Sequence, residues 1–492
     1  MEKHHEKGHV KEEPKPSGKP GKPEKLDERT ERNLHYSIAE GTVGNVDMTI
    51  RNSYTTPFAL SLNATSAEIG LMTSAQHLAS TIAQIPASRL HIWVGGKKRG
   101  WIFSHIIQKI FWIPIMLLPF LIASNQVFAL IVLLACTSFF GGMRTPSWSA
   151  LMGDVVPKGK WGKFFGRRNM YMNIAGLATA LACGQLLIWM GFPFILTAAF
   201  VFGLFSIYFF SKIYEPPCRH EYHYTHTVSV NFSGLWKSVK INRNFAFFTL
   251  FMTAINFAVF FASPFFAVYM LSDLKIGYLW YAALAVIESI AIIVSQPYWG
   301  NLCDKFGDRN IMIITGILVA FVPFYWIFIT NPYEIIIADA LSGFAWAGFG
   351  IATFNFMLAS SPADKRAEFT ASHSFFTGLG VVGGAFCGGM AAHLFQGSAF
   401  LWMVGLQVVF LISFFLRLTS LFFLSLLKEP RVKETKESVG ELFWLLVAVN
   451  PIKRIIHVRM HPYDMSWRKW ISMLIKAAKN KIIYKFIMWR EK

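Results

Sequence analysis

The chain has 492 residues, of which 54% are hydrophobic and only 15% are charged, and its formal net charge is +19. Soluble globular proteins average about 25% charged residues, so this composition argues against a water-soluble enzyme. Apolar runs of about 20 residues recur between residues 36 and 427, and each is long enough for a helix to cross roughly 30 Å of hydrocarbon. The sequence therefore predicts a multi-pass membrane protein.

Residues 1–34 precede the first apolar run and mix Lys, Glu, Pro and Gly without an apolar core. A segment of this composition cannot bury enough apolar surface to fold, and it resembles neither a signal peptide nor a membrane span. We expect a disordered, charged tail.

Breaks at polar, Gly and Pro residues divide the apolar region into about twelve predicted spans. These spans cover residues 36–60, 67–92, 101–123, 126–153, 168–190, 193–213, 244–271, 277–299, 310–330, 333–358, 371–395 and 399–427. A long polar segment at residues 214–242, predicted to be a loop, separates six spans from six. The sequence therefore predicts an all-α protein with one six-helix bundle at residues 35–213 and a second at residues 243–427.

Basic residues are concentrated in alternate loops. One set of loops contains Lys97, Lys98, Arg99, Lys158, Lys160, Lys163, Arg167, Arg168, Arg219, Lys237, Lys240, Arg243, Lys305, Arg309, Lys365 and Arg366. The other set, near Asn63, Asn125, Gly191, Asp273, Asn331 and Gln396, offers only Lys275. By the positive-inside rule the basic loops and both termini are cytoplasmic, which requires an even number of spans. We expect the protein to lie in the plasma membrane.

The two halves of the chain resemble each other. The pair Pro57-Phe58, followed after ten residues by Ile69-Gly70, recurs as Pro264-Phe265 followed after ten residues by Ile276-Gly277. A second match relates residues 157–164 to residues 362–369 at nearly the same offset. Together these matches predict two parallel, pseudo-symmetric six-helix repeats with a substrate path between them.

Residues 300–309 read Gly-Asn-Leu-Cys-Asp-Lys-Phe-Gly-Asp-Arg. This segment resembles the signature loop of the major facilitator superfamily, which has a glycine, a leucine, an acid, a base, a glycine and another base at fixed spacing. The resemblance implies two six-helix bundles, secondary transport by alternating access, and a monomer without a cofactor. It also implies a cytoplasmic gate, to which we assign Gly300, Asp304, Lys305, Gly307 and Arg309.

A further resemblance to that superfamily lies between residues 146 and 169, at the junction of the fourth and fifth spans. This segment adds Asp154 and Arg168 to the predicted gate. The loop of the first half that corresponds to residues 300–309 departs from the pattern, because no acid in residues 88–99 occupies the position of Asp304.

Ionisable residues inside predicted spans are candidate functional groups, because a charge near the bilayer centre is costly unless it is paired or faces water. Asp47 and Arg51 lie four residues apart in the first span, on one helix face where they can pair. We interpret them as a cavity pair that binds substrate or carries a coupling proton, and the alternative is a structural pair between helices.

The other candidates are single residues. Glu288 has no partner in its own span and is a candidate proton-coupling acid, with a structural contact as the alternative. Arg144 is either the anchor of an anionic substrate group or a partner of an acid such as Asp47. His77 is a titrating site or a hydrogen-bonded core residue, and Asn256 is a candidate lining residue.

The segments outside the spans indicate no metal site and no nucleic-acid partner. Cys218, His220, His223 and His226 match no strong zinc pattern, so we favour a solvated loop. Residues 428–492 form a predicted cytoplasmic tail that carries about half of the excess positive charge. Apolar residues recur there at helical spacing over residues 467–489, which predicts a basic amphipathic helix on the anionic inner leaflet and makes membrane lipids the expected partner.

The function predicted from these observations is secondary active transport of a small solute by alternating access, with the proton as a candidate coupling ion. Two alternatives keep the same fold: a lipid or lysolipid flippase, and a transport-dead sensor or scaffold. No enzymatic motif is present, so we expect no enzyme. The identity and charge of the solute stay open.

Overall fold

A computed structural model describes residues 28–121, 124–156, 161–215, 242–361, 366–395, 399–400 and 403–430. The central histidines with Cys218, and the amphipathic helix predicted at residues 467–489, lie outside the described residues.

The N-terminal half is built of long helices. They are α1 (Glu28–Ser61), α2 (Ser66–Trp93), α3 (Lys97–Leu121) and α4 (Gln126–Val155), followed by a helical stretch, Trp161–Ser211. That stretch breaks at Gly191, whose φ of 74° is unfavourable for any residue with a Cβ, into α5 (161–190) and α6 (192–211). The half therefore has six helices, as predicted.

The C-terminal half repeats this arrangement. Its helices are α7 (Arg243–Val268, extended by a π-helical turn, Tyr269–Asp273), α8 (Tyr278–Phe306), α9 (Asp308–Trp326), α10 (Pro332–Ser360), α11 (Arg366–Leu394), α12 (Leu406–Ser420) and the short α13 (Phe422–Ser425). Between α11 and α12, strand β1 (Ala399–Phe400) pairs antiparallel with β2 (Met403–Val404).

Nine helical stretches in the described part are long and apolar enough to cross a membrane, and one of them, 167–211, contains both α5 and α6. Helices α1 and α2 complete the twelve, which confirms the predicted fold class. Helix α1 begins at Glu28, inside the segment expected to be a tail. The acidic Glu28 and Glu31 suit its first turn, and Glu28 pairs with Arg32 at 3.1 Å.

The repeat extends to a pair of matching clamps. In the N-terminal half, the Asn33 side chain bonds both the N–H and the C=O of Tyr214, and the next residue, Glu215, accepts from the backbone N–H of Lys97 at the start of α3. In the C-terminal half, Asn244 bonds both backbone groups of Lys428, and Glu429 accepts from the N–H of Arg309 in α9. Each carboxylate thus caps the third helix of its half at the positive end of the helix dipole.

We call the end of the bundle that carries Glu28 and Ser425 the tail face and the other end the opposite face. Within the halves, α1 packs on α5 and α2 on α4, while α7 packs on α11 and α8 on α10. Between the halves, α2 contacts α11 and α5 contacts α8. In each contact the second helix of one half meets the fifth helix of the other half. The two contacts are therefore equivalent under a pseudo-two-fold axis between the halves.

The halves close together at the opposite face. The Cα of Gly389 in α11 lies so near Gly70 in α2 that a Cβ at Gly70 would approach it to 2.6 Å. The Tyr281 hydroxyl of α8 donates to the Ser53 carbonyl of α1 at 3.2 Å. One large apolar cluster there joins both halves, including Phe58 and Phe265. Towards the tail face, the described apolar clusters are separate for each half.

Candidate functional site

Asp47 is the centre of a buried charge cluster in the N-terminal half. Its Oδ1 lies 3.1 Å from Arg51 Nε, one helical turn along α1, and 2.8 Å from Lys109 Nζ of α3. Asp47 is 1% exposed and Lys109 is 2% exposed. The predicted i,i+4 pairing of Asp47 with Arg51 is therefore present, but the carboxylate forms ion pairs with two cations rather than one.

Lys109 ties the cluster to a third helix. Its Nζ donates to the carbonyl of Ala199 in α6 at 3.4 Å, and the Trp112 ring lies 5.8 Å away. The cluster thus joins α1, α3 and α6, which is the structural role given above as the alternative for Asp47 and Arg51. All of these contacts of Asp47 lie within the N-terminal half.

Arg144 lies beside this cluster on α4. Its Nη1 is 3.5 Å from Gln108 Oε1, and its guanidinium lies 5.6 Å from the centre of the Trp101 ring. Arg144 forms no ion pair with Asp47 or with any other carboxylate among the described residues. Its guanidinium is a cation without an anionic partner in this part of the structure.

A second buried ion pair lies nearer the tail face. Arg168 Nη2 of α5 is 2.9 Å from Glu40 Oε2 of α1, and Arg168 Nε donates to the Ser37 carbonyl. The guanidinium also lies 4.6 Å from the centre of the Trp148 ring. Arg168, predicted as a gate residue, thus holds α5 to α1 and α4, and its closeness leaves no room for a Cβ at Gly41.

A cavity of about 350 Å³ opens between these groups. Its lining includes Glu40, Asn45, Trp101, Arg144, Trp148 and Arg168. Asp47 and Arg51 are not among its lining residues. Of the sequence-predicted binding residues, Arg144 therefore faces this cavity directly.

A second cavity, of about 260 Å³, lies in the C-terminal half. Two carboxyl groups line it, Glu288 of α8 and Asp339 of α10. The Ser342 hydroxyl donates to Glu288 Oε1 at 2.9 Å, while Asp339 forms no ion pair within the described part of the chain. Helix α10 approaches α8 closely here, since a Cβ at Gly343 would overlap the Glu288 carbonyl oxygen.

Arg417 of α12 is the basic residue of this second cavity. It is 1% exposed, and its Nη1 donates to the Val319 carbonyl of α9 at 2.8 Å. Its Nε has no hydrogen-bond partner among the described residues. Arg417 forms no ion pair with Glu288 or Asp339, so the acids and the base share the cavity without neutralising each other at contact distance.

The two remaining predicted binding residues lie elsewhere. The His77 ring of α2 packs edge-on against Phe260 of α7 at 5.0 Å, which places it between the halves. The Asn256 side chain donates to the Met252 carbonyl of its own helix at 2.7 Å. Neither residue lines either of the two cavities described above.

The predicted gate residues lie at the tail face. Gly307 joins α8 to α9 with a φ of 85°, and Glu429 contacts it closely. Asp304 and Lys305 are exposed at the end of α8, while Gly300 has open space beside it. In the N-terminal half, Asp154 pairs with Lys97 at 2.5 Å. This pair gives the first half an acid–base contact that the residues 88–99 alone did not indicate.

A family model now assigns the architecture. The model described as Major Facilitator Superfamily matches residues 41–287 and again residues 251–489. The chain belongs to the Major Facilitator Superfamily. Its members are transporters, not enzymes, and the two matches, which overlap at residues 251–287, together cover residues 41–489 of this superfamily member.

Individual relatives agree with this assignment. The chain is 28% identical over 216 residues to the multi-drug resistance efflux pump PmrA of Streptococcus pneumoniae serotype 4, an alignment that covers 42% of this chain and 50% of the pump. The chain thus spans about half the length of that curated relative.

Solved structures of low sequence identity share the fold. A mutant of the nucleoside transporter NupG superposes with a TM-score of 0.64 at 15% identity, over 80% of this chain and 100% of the transporter. A D-xylose-proton symporter superposes with a TM-score of 0.61 at 12% identity, over 82% and 99% of the two chains.

Several charged residues of this superfamily member were not singled out from the sequence. They are Glu40, Lys109, Asp339 and Arg417. Glu40 lies near the polar end of the first predicted span, so hydropathy alone gave little signal. Lys109 lies well inside the predicted span 101–123 and was detectable as a basic residue in an apolar run. Arg417 lies inside a predicted span and was detectable as a basic residue in an apolar run. Within the described residues, no group of three His, Cys, Asp or Glu side chains could hold a metal ion.

Proposed function

We propose that this superfamily transporter carries out secondary active transport of a small solute, with alternating access and proton coupling. Contact between the halves at the opposite face, with separate apolar clusters towards the tail face, supports a state that is open to the tail side. Alternating access then requires the α2–α11 and α5–α8 contacts to open at one face and close at the other.

The observation that carries the proton coupling is the pair of carboxyl groups in the C-terminal cavity. Glu288 and Asp339 line the same cavity, and neither forms an ion pair with a described residue. An unpaired carboxylate inside a membrane protein is costly, and binding a proton removes that cost. The two acids therefore suit a site that takes up a proton from one side and releases it when the cavity faces the other.

The superfamily relatives support the class of function. One structural neighbour is named as a proton symporter and another as a nucleoside transporter, while the curated relative is named as a drug efflux pump. Direction of transport therefore differs within the superfamily, and we propose proton coupling without choosing between symport and antiport.

The coupling proposal predicts a loss of pH-driven transport in Glu288→Gln and Asp339→Asn. Purified protein in liposomes that contain the pH dye pyranine is mixed with nucleosides, sugars, dipeptides, drugs, organic acids and lysolipids, one class at a time. We expect at least one class to change the internal pH. Each variant should lower that response about 5-fold to 150-fold, the range that a coupling free energy of 1–3 kcal/mol represents.

Asp273→Asn is the matched control, because Asp273 is an exposed carboxyl residue in the C-terminal half, at the end of the π-helical turn that follows α7. Its response should equal that of the wild type. Equal responses of Glu288→Gln, Asp339→Asn and the control would contradict proton coupling at this pair. Movement of fluorescent lysolipid without any response to soluble solutes would instead favour the flippase alternative, and no flux of any kind would favour the transport-dead one.

We also propose that the tail face is cytoplasmic and that the protein lies in the plasma membrane. Lys97, Lys98, Arg99, Arg167, Arg243, Lys305 and Arg309 are at or near that face, whereas Lys275 lies at the opposite face. This distribution follows the positive-inside rule.

The orientation predicts the labelling of introduced cysteines in intact cells. On a background in which the native cysteines are replaced, Thr330→Cys at the opposite face should react with a membrane-impermeant maleimide. Arg32→Cys at the tail face should react only after the cells are permeabilised. The reverse pattern would show that the termini are outside.

A further inference from the structure

The charge cluster around Asp47 in the N-terminal half holds more positive charge than negative charge. Arg51, Lys109 and Arg144 surround the single carboxylate of Asp47. The neighbouring pair of Glu40 and Arg168 is balanced. The three cations and one carboxylate of the cluster therefore leave a net charge of +2 that no described residue neutralises.

Such a surplus inside a membrane protein needs a partner. A buried charge that is not paired or hydrogen-bonded costs several kcal/mol, so a cation held at this depth favours water or an anion beside it. The Arg144 guanidinium is such a cation, because it has no ion pair with a described residue and its one described hydrogen bond is the 3.5 Å contact to Gln108. It also lines the cavity of about 350 Å³.

The cavity presents a second unused donor. The Nε1–H of Trp148 is buried and has no hydrogen-bond partner among the described residues, and Trp148 lines the same volume as Arg144. The Glu40 carboxylate also lines the cavity, but its oxygens already accept from Arg168 at 2.9 Å and from Ser206 at 3.5 Å. The unused hydrogen-bonding groups described above are therefore donors, and they suit an acceptor that carries negative charge.

The remaining lining is partly polar and partly apolar. Met48, Trp101, Trp148 and Met172 contribute side chains that pack against hydrocarbon or aromatic groups. The volume lies at the lower end of the range for sites that bind drug-sized molecules. A small organic body with one charged end fits this combination of walls and donors.

We infer that the N-terminal cavity binds an organic anion, with its carboxylate or phosphate group on Arg144 and Trp148 Nε1 and its apolar body against Met48, Trp101 and Met172. This inference names the substrate class of the transporter and so rests on the proposed function. The anion occupies the N-terminal half and the proton the C-terminal half.

A binding experiment with three matched probes tests the charge requirement. Indole-3-acetate, indole-3-ethanol and tryptamine share one ring and differ in having an anionic, a neutral and a cationic end. The melting temperature of the full-length protein in detergent is measured against the concentration of each probe. We expect a rise with indole-3-acetate and no rise with the other two.

The variant Arg144→Gln keeps the hydrogen-bonding capacity and removes the charge. It should weaken the binding of indole-3-acetate about tenfold or more, since hydrogen bonds to charged groups are stronger than neutral ones. Arg243→Gln is the matched control, because Arg243 is an exposed arginine at the start of α7. Its binding should equal that of the wild type.

Two further probes distinguish the source of the anion. Inorganic phosphate reports a site for the charged group alone, and lysophosphatidic acid reports a site for an anionic lipid. A rise with lysophosphatidic acid that Arg144→Gln abolishes, without one for indole-3-acetate or phosphate, would assign the anion to a lipid.

Three results would overturn the inference: equal stabilisation by all three indole probes, full binding in Arg144→Gln, or no stabilisation by any anionic probe. Binding of indole-3-acetate that depends on Arg144, without proton-linked uptake in liposomes, would leave the anion site standing and would contradict the proposed function. Proton-linked uptake of tryptamine alone would contradict the anion site and would support the proposed function.

Discussion

Replacement of Asp47 by Asn is expected to destabilise the protein by about 3–5 kcal/mol, the cost of removing one partner from a buried ion pair. The Asp47 carboxylate lies within 3.1 Å of Arg51 Nε and 2.8 Å of Lys109 Nζ. Without it, the buried Lys109 and the half-buried Arg51 have no counter-ion among the described residues. The temperature at which half of the protein aggregates in detergent should fall accordingly.

A second substitution separates charge from packing. Lys109→Met on the Asp47→Asn background removes one of the two unpaired cations and should recover roughly 0.5–3 kcal/mol, as expected for residues in direct contact. Asp154→Asn is the control, because its pair with Lys97 is partly exposed and should cost less than about 1 kcal/mol. If Asp47→Asn were no less stable than this control, the Asp47 carboxylate would not be the counter-ion of the cluster.

Replacement of Gly70 by Leu is expected to reduce transport to background while the protein still folds. A Cβ at Gly70 would approach the Cα of Gly389 to 2.6 Å and the carbonyl oxygen of Ala385 to 2.7 Å. These are backbone atoms, which cannot move aside as a flexible side chain can. The two halves then cannot close at the opposite face, and a cycle that requires this closure stops.

Solute-induced pH change in liposomes measures the loss of transport, and cysteine labelling measures its cause. Ser74→Cys, whose parent hydroxyl donates to the Val382 carbonyl between the halves, should label faster from the opposite face in Gly70→Leu than in the parent. Gly350→Leu is the control, because a Cβ there meets nothing within 4 Å. Wild-type transport in Gly70→Leu would show that this contact does not need to close.

The helices were predictable because their signal is local. A run of about 20 apolar residues has the length that the hydrocarbon requires, whatever its neighbours are. The predicted spans 126–153 and 333–358 agree within a few residues with α4 and α10. Helices α1 and α2 contain more polar residues, but they were still predicted from their apolar runs, and the even number of spans that the basic loops require supports them.

The candidate site was only partly predictable. The pairing of Asp47 with Arg51 follows from their spacing of four residues in one helix, and the structure contains it. The contact of Asp47 with Lys109, and that of Glu40 with Arg168, join helices far apart in the chain. No local pattern fixes how α3 or α5 is rotated about its axis, so these pairs became visible only in the packed bundle.

The matching clamps at Glu215 and Glu429 show a signal that was present but not used. Each glutamate is followed by proline, at Pro216 and Pro430, just after the sixth helix of its half. Together with Asn33 and Asn244 they extend the internal repeat to the loops of the tail face. A search for repeats in the loops, rather than in the spans alone, would have found them.

The sequence by itself determined the number of helices, their division into two halves and the family, because length, hydropathy and short motifs are properties of consecutive residues. Only the tertiary structure decided that one group of charges is cationic, around Asp47, and that another cavity holds two acids, Glu288 and Asp339. It also decided that the halves meet at the opposite face. The physical reason is that apolar burial is non-directional, so helix rotation and the choice of neighbours depend on the packing of whole surfaces.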